Sequence, residues 1–301
     1  MGIYQSNLTN YTDFTPNSTI TKHYYGWKRD TPNAEDEFHN FVVNSTLDNI
    51  KLVDLRSTCP AVYNQDKLGS CTANAIAAAY EYDDSLRAST NADEIKQNEK
   101  DVFIPSRLFI YYNERKIEGS VDTDSGAEIR DGIKSISVDG VCSEDMWKYD
   151  ITKFTECPTQ ECYDYAKNHK SIEYKRVVQS LEQLKQCLIE GFPFVFGFNV
   201  YSSFETQEVA ETGDMPMPKE GEELLGGHAV CAVGFDDNRR VFIVRNSWGD
   251  SWGDKGYFYM PYAFITNTSQ CSDFWTVRKV KDMPTQNVRF DYSSLKEHVG
   301  C

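Results

Sequence analysis

The chain changes character near its midpoint, and this asymmetry limits its fold more than any other feature. From Ser70 to about Asp83 the run CTANAIAAAYEYD is rich in alanine and free of glycine and proline, which predicts a helix with Ser70 as its N-cap. Pro105–Ile117 and Ser125–Val138 predict two more helices, and Ser180–Glu190 a short fourth. The segments that follow are short, aromatic and β-branched, and turn residues separate them: Phe192–Val200, His228–Phe235, Val241–Arg245, Gly256–Met260 and Phe274–Val277. Helices first and strands later predict an α+β fold of two lobes with a cleft between them. The expected divisions are a polar extension over 1–50, a helical lobe over 51–155, a β-rich lobe over 156–280 and a tail over 281–301. Residues 205–227 read as one long acidic loop, and a loop of that length in a compact domain is usually functional or mobile.

Charge narrows the partners. Lys and Arg total 31 against 46 Asp and Glu, a net charge of -15, which argues against nucleic acid. The N-terminus carries no signal-peptide pattern and no run reaches the length of a membrane span, so a cytoplasmic or otherwise not classically secreted protein is expected, with no membrane partner. Met1-Gly2 opens a loose myristoylation pattern, but no polybasic patch follows to supply a second anchor. The sequons at Asn7, Asn10, Asn17, Asn44 and Asn267 read as ordinary coil. Nine cysteines leave at least one without an intrachain partner, and reduced thiols are expected. Cys157 and Cys162 resemble half a zinc site with no second pair at suitable spacing, so neither metal nor cofactor is expected.

Cys71 carries the chemistry. It stands at a helix start, where free N–H groups and a partial positive charge favour thiolate, the nucleophilic form. Gly69-Ser70 before it would let a substrate backbone approach. A buried, inert thiol is the competing reading. His228 and Asn246 decide between them. They are equidistant from residue 237 in a predicted hairpin, which would set them face to face and let the amide orient the imidazole.

The segments QDKLGSC (65–71), GGHAVCAVGF (226–235) and NSWGDSWGDKGYFYM (246–260) resemble the papain family of cysteine peptidases, whose cysteine signature is a known pattern. The resemblance spans roughly 53–277. Gly-Gly-His is similar to cathepsin B, and the wider wording is similar to bacterial-type homologues without a standard proregion. The resemblance implies a papain-like fold with a helical left lobe and a β-barrel-like right lobe. It implies peptide or protein substrates, and catalysis by Cys71, His228 and Asn246 with Gln65 in the oxyanion hole. It places Trp248 over the Asn–His bond, Trp252 on the leaving-group side, and Ser125-Gly126 against the substrate backbone. Gly69, Ser70 and Gly227 complete the expected substrate-binding set, and Ser272 or Asp273 is expected near the second subsite. Asp66, Leu68 and Thr72 depart from the family pattern, removing one disulfide without touching the reacting groups. Tyr25–Asp30 resembles an extension of bacterial-type relatives.

The leading expectation is thus a thiol peptidase working through an acyl-enzyme. An acyl transferase with the same triad, or a silent binding protein on this fold, are the alternatives. The extension is expected to lie over the cleft as a short inhibitory segment. The acidic loop is expected to attract basic peptides in a salt-dependent way.

Overall fold

The computed structural model describes residues 23–39, 41, 50–90, 103–170 and 173–278. Met1-Gly2, the sequons at Asn7, Asn10, Asn17 and Asn44, and the tail 281–301 lie outside them.

The described residues form ten strands: β1 Trp27–Lys28, β2 Phe38–His39, β3 Leu52–Asp54, β4 Ala127–Glu128, β5 Glu173–Val177, β6 Phe194–Tyr201, β7 Leu224–Asp236, β8 Val241–Arg245, β9 Tyr257–Pro261 and β10 Cys271–Arg278. The helices are α1 Cys71–Thr90, α2 Arg107–Ile117, α3 Ile129–Val138, α4 Gln160–Ala166, α5 Leu181–Ile189, α6 Gln207–Thr212 and α7 Tyr262–Ile265. One eight-stranded sheet runs β2-β5-β10-β6-β7-β8-β9, with β3 added on β7, while β1 and β4 form a separate parallel pair. The architecture is the α+β arrangement expected. The acidic stretch is more ordered than a loop, since it contains α6 and the start of β7.

The central strands explain why their sequences read as unbroken apolar runs. Along β6, Phe194, Phe196 and Phe198 face one core, while Val195 faces the other. Along β7, Ala229, Cys231 and Val233 join the core around α1, α2 and α3, while Val230 and Ala232 join the aromatic core on the opposite side. Side chains alternate along a strand, so a strand buried on both faces loses the polar half of its pattern. Helix α1 is packed nearly all round: Ala73, Ile76, Ala77 and Ala79 are buried. Its alanines permit that close packing at no cost in side-chain entropy.

Two caps differ from expectation. Ser70 supplies the carbonyl that accepts the first helical bond of α1, from Asn74 N at 3.0 Å. Its hydroxyl, however, is bonded to Tyr149 and Asn74 instead of capping. Helix α3 begins after a two-residue strand, with Glu128 in the cap position, and Ser125 lies further upstream.

Phe196 packs against Phe194, Phe198 and Phe274 and is fully buried. Phe196→Ala should lower unfolding free energy by about 3–5 kcal/mol in a urea titration; a loss under ~1 kcal/mol would show that this core can collapse around the gap.

Candidate active site

Cys71 is the first residue of α1, and its thiol is wholly buried. Burial pushes the thiol up to about 12, against the pull of the backbone N–H groups of Ala229, Gly26 and Thr72. Ala229 follows His228 on β7, so the strand that carries the imidazole also brings a backbone N–H to the Cys71 thiol.

His228 Nε2 and Asn246 Oδ1 are 2.8 Å apart. The same Oδ1 accepts the Ser247 backbone N–H at 2.8 Å, which identifies it as the oxygen. In the neutral ring Nε2 is therefore the donor and Nδ1 keeps its lone pair. That Nδ1 is buried with no hydrogen-bond partner among the described residues. Trp248 packs over the imidazole at a centroid distance of 4.8 Å, and Trp252 meets Trp248 edge-on at 4.9 Å. Burial lowers His228 to about 4, despite the bond to Asn246.

The register that joins the two residues is not the one expected. Cys231 pairs with Arg245 and Asp236 with Val241, with a bulge between Ala232 and Gly234. The turn lies over 237–240 instead of centring on 237, and Asn246 falls just past the end of β8. The longer turn moves the pairing three residues beyond the expected register and the bulge takes one back, a net shift of two. An even shift keeps both side chains on one face, so Asn246 reaches His228 as a diagonal neighbour.

Gln65 is buried beside them. Its backbone N–H donates to Ser247 O at 2.8 Å, and its Oε1 accepts from the Ser247 hydroxyl at 2.6 Å. Its Nε2 donates to Leu68 O at 2.9 Å and to the backbone carbonyl of Tyr24 at 3.0 Å. Ser247 thus fixes both ends of Gln65. Sequence reasoning missed this role, because nothing distinguishes a serine after Asn246 until the fold brings it to Gln65.

The departures from the family pattern have local reasons. Asp66 has φ +52°, a left-handed conformation that Asp tolerates better than most side chains. Leu68 is buried in the core that also holds Cys71. Thr72 donates to Glu114 Oε1 at 2.6 Å, and burial holds the Glu114 carboxyl well above the usual range.

Residues 23–30 occupy the groove beside Cys71. Strand β1 pairs in parallel with β4, and Ala127 N donates to Gly26 O at 2.8 Å. A Cβ on Gly26 would lie 1.7 Å from Gly69 O, and one on Gly126 would lie 2.0 Å from Gly26 O. Only glycines allow three backbones so close. The Trp27 indole lies against Gly197 and Gly227, where added Cβ atoms would meet it at 1.9 and 2.7 Å. Its Nε1 donates to Asp273 Oδ2 at 3.1 Å. Tyr25 packs on Gly226 and donates its hydroxyl to Glu205. The ring of His23 stacks on Trp248 at 3.7 Å, with Nδ1 2.7 Å from Glu205 Oε2. Asp30 anchors the far end, with Oδ2 2.8 Å from Arg176 Nη2 and 2.9 Å from Trp275 Nε1.

Of the expected substrate-binding residues, Gly69, Gly126, Gly227 and Trp248 line this filled groove, and Trp252 backs Trp248. The Ser70 hydroxyl turns to Tyr149, and that of Ser125 to Ser120 and the Lys28 ammonium. Asp273 touches Trp27, while Ser272 Oγ is buried with no hydrogen-bond partner among the described residues. His23 and Glu205 were not singled out from the sequence. The signals were the aromatic and glycine cluster Tyr24-Tyr25-Gly26-Trp27 in a polar extension and the acidic stretch that begins at Glu205.

Known proteins resemble this chain in sequence and in fold. The model of the family described as papain family cysteine protease matches residues 50–274. An uncharacterized peptidase C1-like protein of Acanthamoeba polyphaga mimivirus is 47% identical over 249 residues, covering 80% of this chain and 76% of that protein. The crystal structure of xylellain, a cysteine protease from Xylella fastidiosa, superposes with a TM-score of 0.74 at 42% identity, covering 85% of this chain and 96% of the other. Procathepsin B S9 of Trypanosoma congolense, at 15% identity and a TM-score of 0.62 over 86% of this chain and 87% of the other, shares the fold.

In the covered state the His228 ring should be neutral at pH 7. An NMR titration, with the signal assigned by its loss in His228→Ala, should give a midpoint near 4. A midpoint near the ordinary value of about 6.5 would contradict a buried imidazole.

Proposed function

Because the chain belongs to the papain family of cysteine proteases, we propose that it hydrolyses peptide bonds through Cys71, His228 and Asn246, with residues 23–30 holding the site closed until they are displaced. The observation that carries the proposal is the bond from Gln65 Nε2 to the Tyr24 carbonyl at 3.0 Å, a peptide carbonyl already resting on an oxyanion donor.

Each group has one task. The Nδ1 lone pair of His228 takes the Cys71 proton, and Asn246 keeps Nε2 protonated so that Nδ1 is the base. The thiolate sulfur bonds to the scissile carbonyl carbon, and the carbonyl electron pair moves to oxygen. Gln65 Nε2 and the Cys71 N–H stabilise that oxyanion. Collapse breaks the C–N bond, and the imidazolium gives its proton to the leaving amine. The thioester is then attacked by water, which loses its proton to His228, and the acid product leaves as Cys71 regains its proton. Trp248 keeps water away from the Asn246 bond.

This pair forms only in the open cleft. With the segment seated, burial disfavours both charges, raising the thiol and lowering the imidazole. The imidazole favours the covered state above pH ~6.5 and loses that contribution as pH falls toward about 4. Asp30 acts in the opposite sense. Burial and the nearby Asp273 raise its carboxyl above the usual range, so its protonation favours the covered state as pH falls. The two effects oppose each other, and displacement by a protein or by cleavage of the extension is a stronger release than acid.

Cys71→Ala should lower cleavage of a fluorogenic peptide by ~10³-fold or more. In the full chain, Gly26→Ala should eject the segment, because its Cβ has no room against Gly69 O. Peptidase rate and Cys71 alkylation at pH 7 should both rise by about tenfold or more. Unchanged rates in a folded Gly26→Ala protein would remove the closed-state reading, and absence of cleavage by that variant across a peptide library would remove the peptidase reading.

A further inference from the structure

Residues 23–30 act as a mould of the cleft, and the end at His23 holds information about the leaving-group side. His228 protonates the leaving amine, so the ground beyond it, where Trp248 stands, receives the residue after the scissile bond. On that ground the His23 ring lies flat on Trp248, at 3.7 Å and 4° between planes. Its Nδ1 meets Glu205 Oε2 at 2.7 Å. The other oxygen of Glu205 accepts the Tyr25 hydroxyl. Both partners of this carboxylate belong to the segment, and its side chain is only 11% exposed with the segment in place. When the segment leaves, Glu205 loses both bonds and stands beside the bare face of Trp248. Glu208, Glu211, Glu220, Glu222 and Glu223 follow within the same stretch, and Lys219 is the one cation between 205 and 227, so the local field has one sign.

We infer that Glu205 and Trp248 form a specificity subsite for a planar, cationic side chain, arginine above all, at the residue immediately after the scissile bond. A guanidinium does what the His23 ring does, stacking its plane on an indole while donating to a carboxylate. Lysine can offer the charge but not the stack. An isosteric neutral side chain leaves Glu205 desolvated and unpaired, and a site built to receive a donor discriminates against ligands that lack one. The inference rests on the peptidase reading and goes beyond it by naming a substrate class and the residue that selects it.

The test uses internally quenched peptides that differ only at the residue after the cleaved bond: Arg, Lys, Gln or Phe. In the full-length Gly26→Ala protein, kcat/KM for the Arg peptide should exceed that for Gln by about tenfold, with Lys between them, as expected for one charged hydrogen bond plus stacking. The advantage should shrink as salt is raised. Adding Glu205→Gln should bring the Arg/Gln ratio close to one. Trp27→Asp serves as a second opening variant if Gly26→Ala does not fold. Binding of the same peptides to the Cys71→Ala form of the opened protein reads the preference without hydrolysis. Cleavage with no Arg preference, or a ratio that survives Glu205→Gln, overturns the subsite and leaves the peptidase reading standing. Selective binding of the Arg peptide without any cleavage by the Cys71 protein does the reverse.

Discussion

The site depends on β6 and β7 being buried on both faces. A strand with two buried faces cannot slip, because a one-residue shift would exchange the side chains of two cores. That rigidity holds His228 at one fixed position on β7, with Ala229 against Cys71 and Phe198 against the imidazole. The bulge in β7 is the one irregularity this pairing admits between β7 and β8, and it helps set how far Asn246 stands from His228. The groups proposed to be catalytic therefore come from three places far apart in sequence: the start of a helix, the middle of a strand and the residue just past another. Ser247 and Gln65 tie the last of these back to the first lobe through two hydrogen bonds.

The closed cleft has an electrostatic consequence. A thiol and an imidazole that are solvent-free hold their protons as neutral groups, since a charge without water costs more than their hydrogen bonds return. The imidazole shift from 6.5 to about 4 corresponds to roughly 3 kcal/mol against its cation. In the proposed closed state the segment restrains the chemistry in two ways, by filling the groove with Gly26 and Trp27 and by burying the groups that would form an ion pair. Glycines at 26 and 126 make the first possible, because backbone meets backbone there with no space for a methyl group. The buried ionic cluster of Asp30, Asp36, Arg130 and Arg176 holds the end of the segment beyond Trp27.

Much of this was legible in the sequence. The run beginning at Cys71 is a helix by composition alone, and α1 extends seven residues beyond the expected Asp83, to Thr90. The aromatic and β-branched runs FPFVFGFNV and HAVCAVGF predict strands, and both segments are strands. The pairing of His228 with Asn246 was also expected, although by a symmetric hairpin that does not exist. The expectation reached the right neighbours because a shift of two residues preserves the face of a strand. Ser70 and Ser125 were less legible. Each looked like a helix cap, and tertiary contacts claimed both hydroxyls instead, with Tyr149 and Ser120 as partners.

Local sequence, then, determined the elements and their chemistry: a thiol at a helix start, an imidazole on a strand with an amide at the end of its hairpin partner, and a polar extension with aromatic residues in it. These follow from propensity and periodicity, which act over a few residues. Tertiary structure alone decided what lies against what. Whether the Tyr24 carbonyl meets Gln65, whether the indole of Trp27 finds Asp273, and whether Glu205 receives the ring of His23 are contacts across 41, 246 and 182 residues. Contacts at such separation leave no periodic trace in a single chain. They exist because packing around the two cores brings the groove walls and residues 23–30 together, with Trp27 itself part of one core.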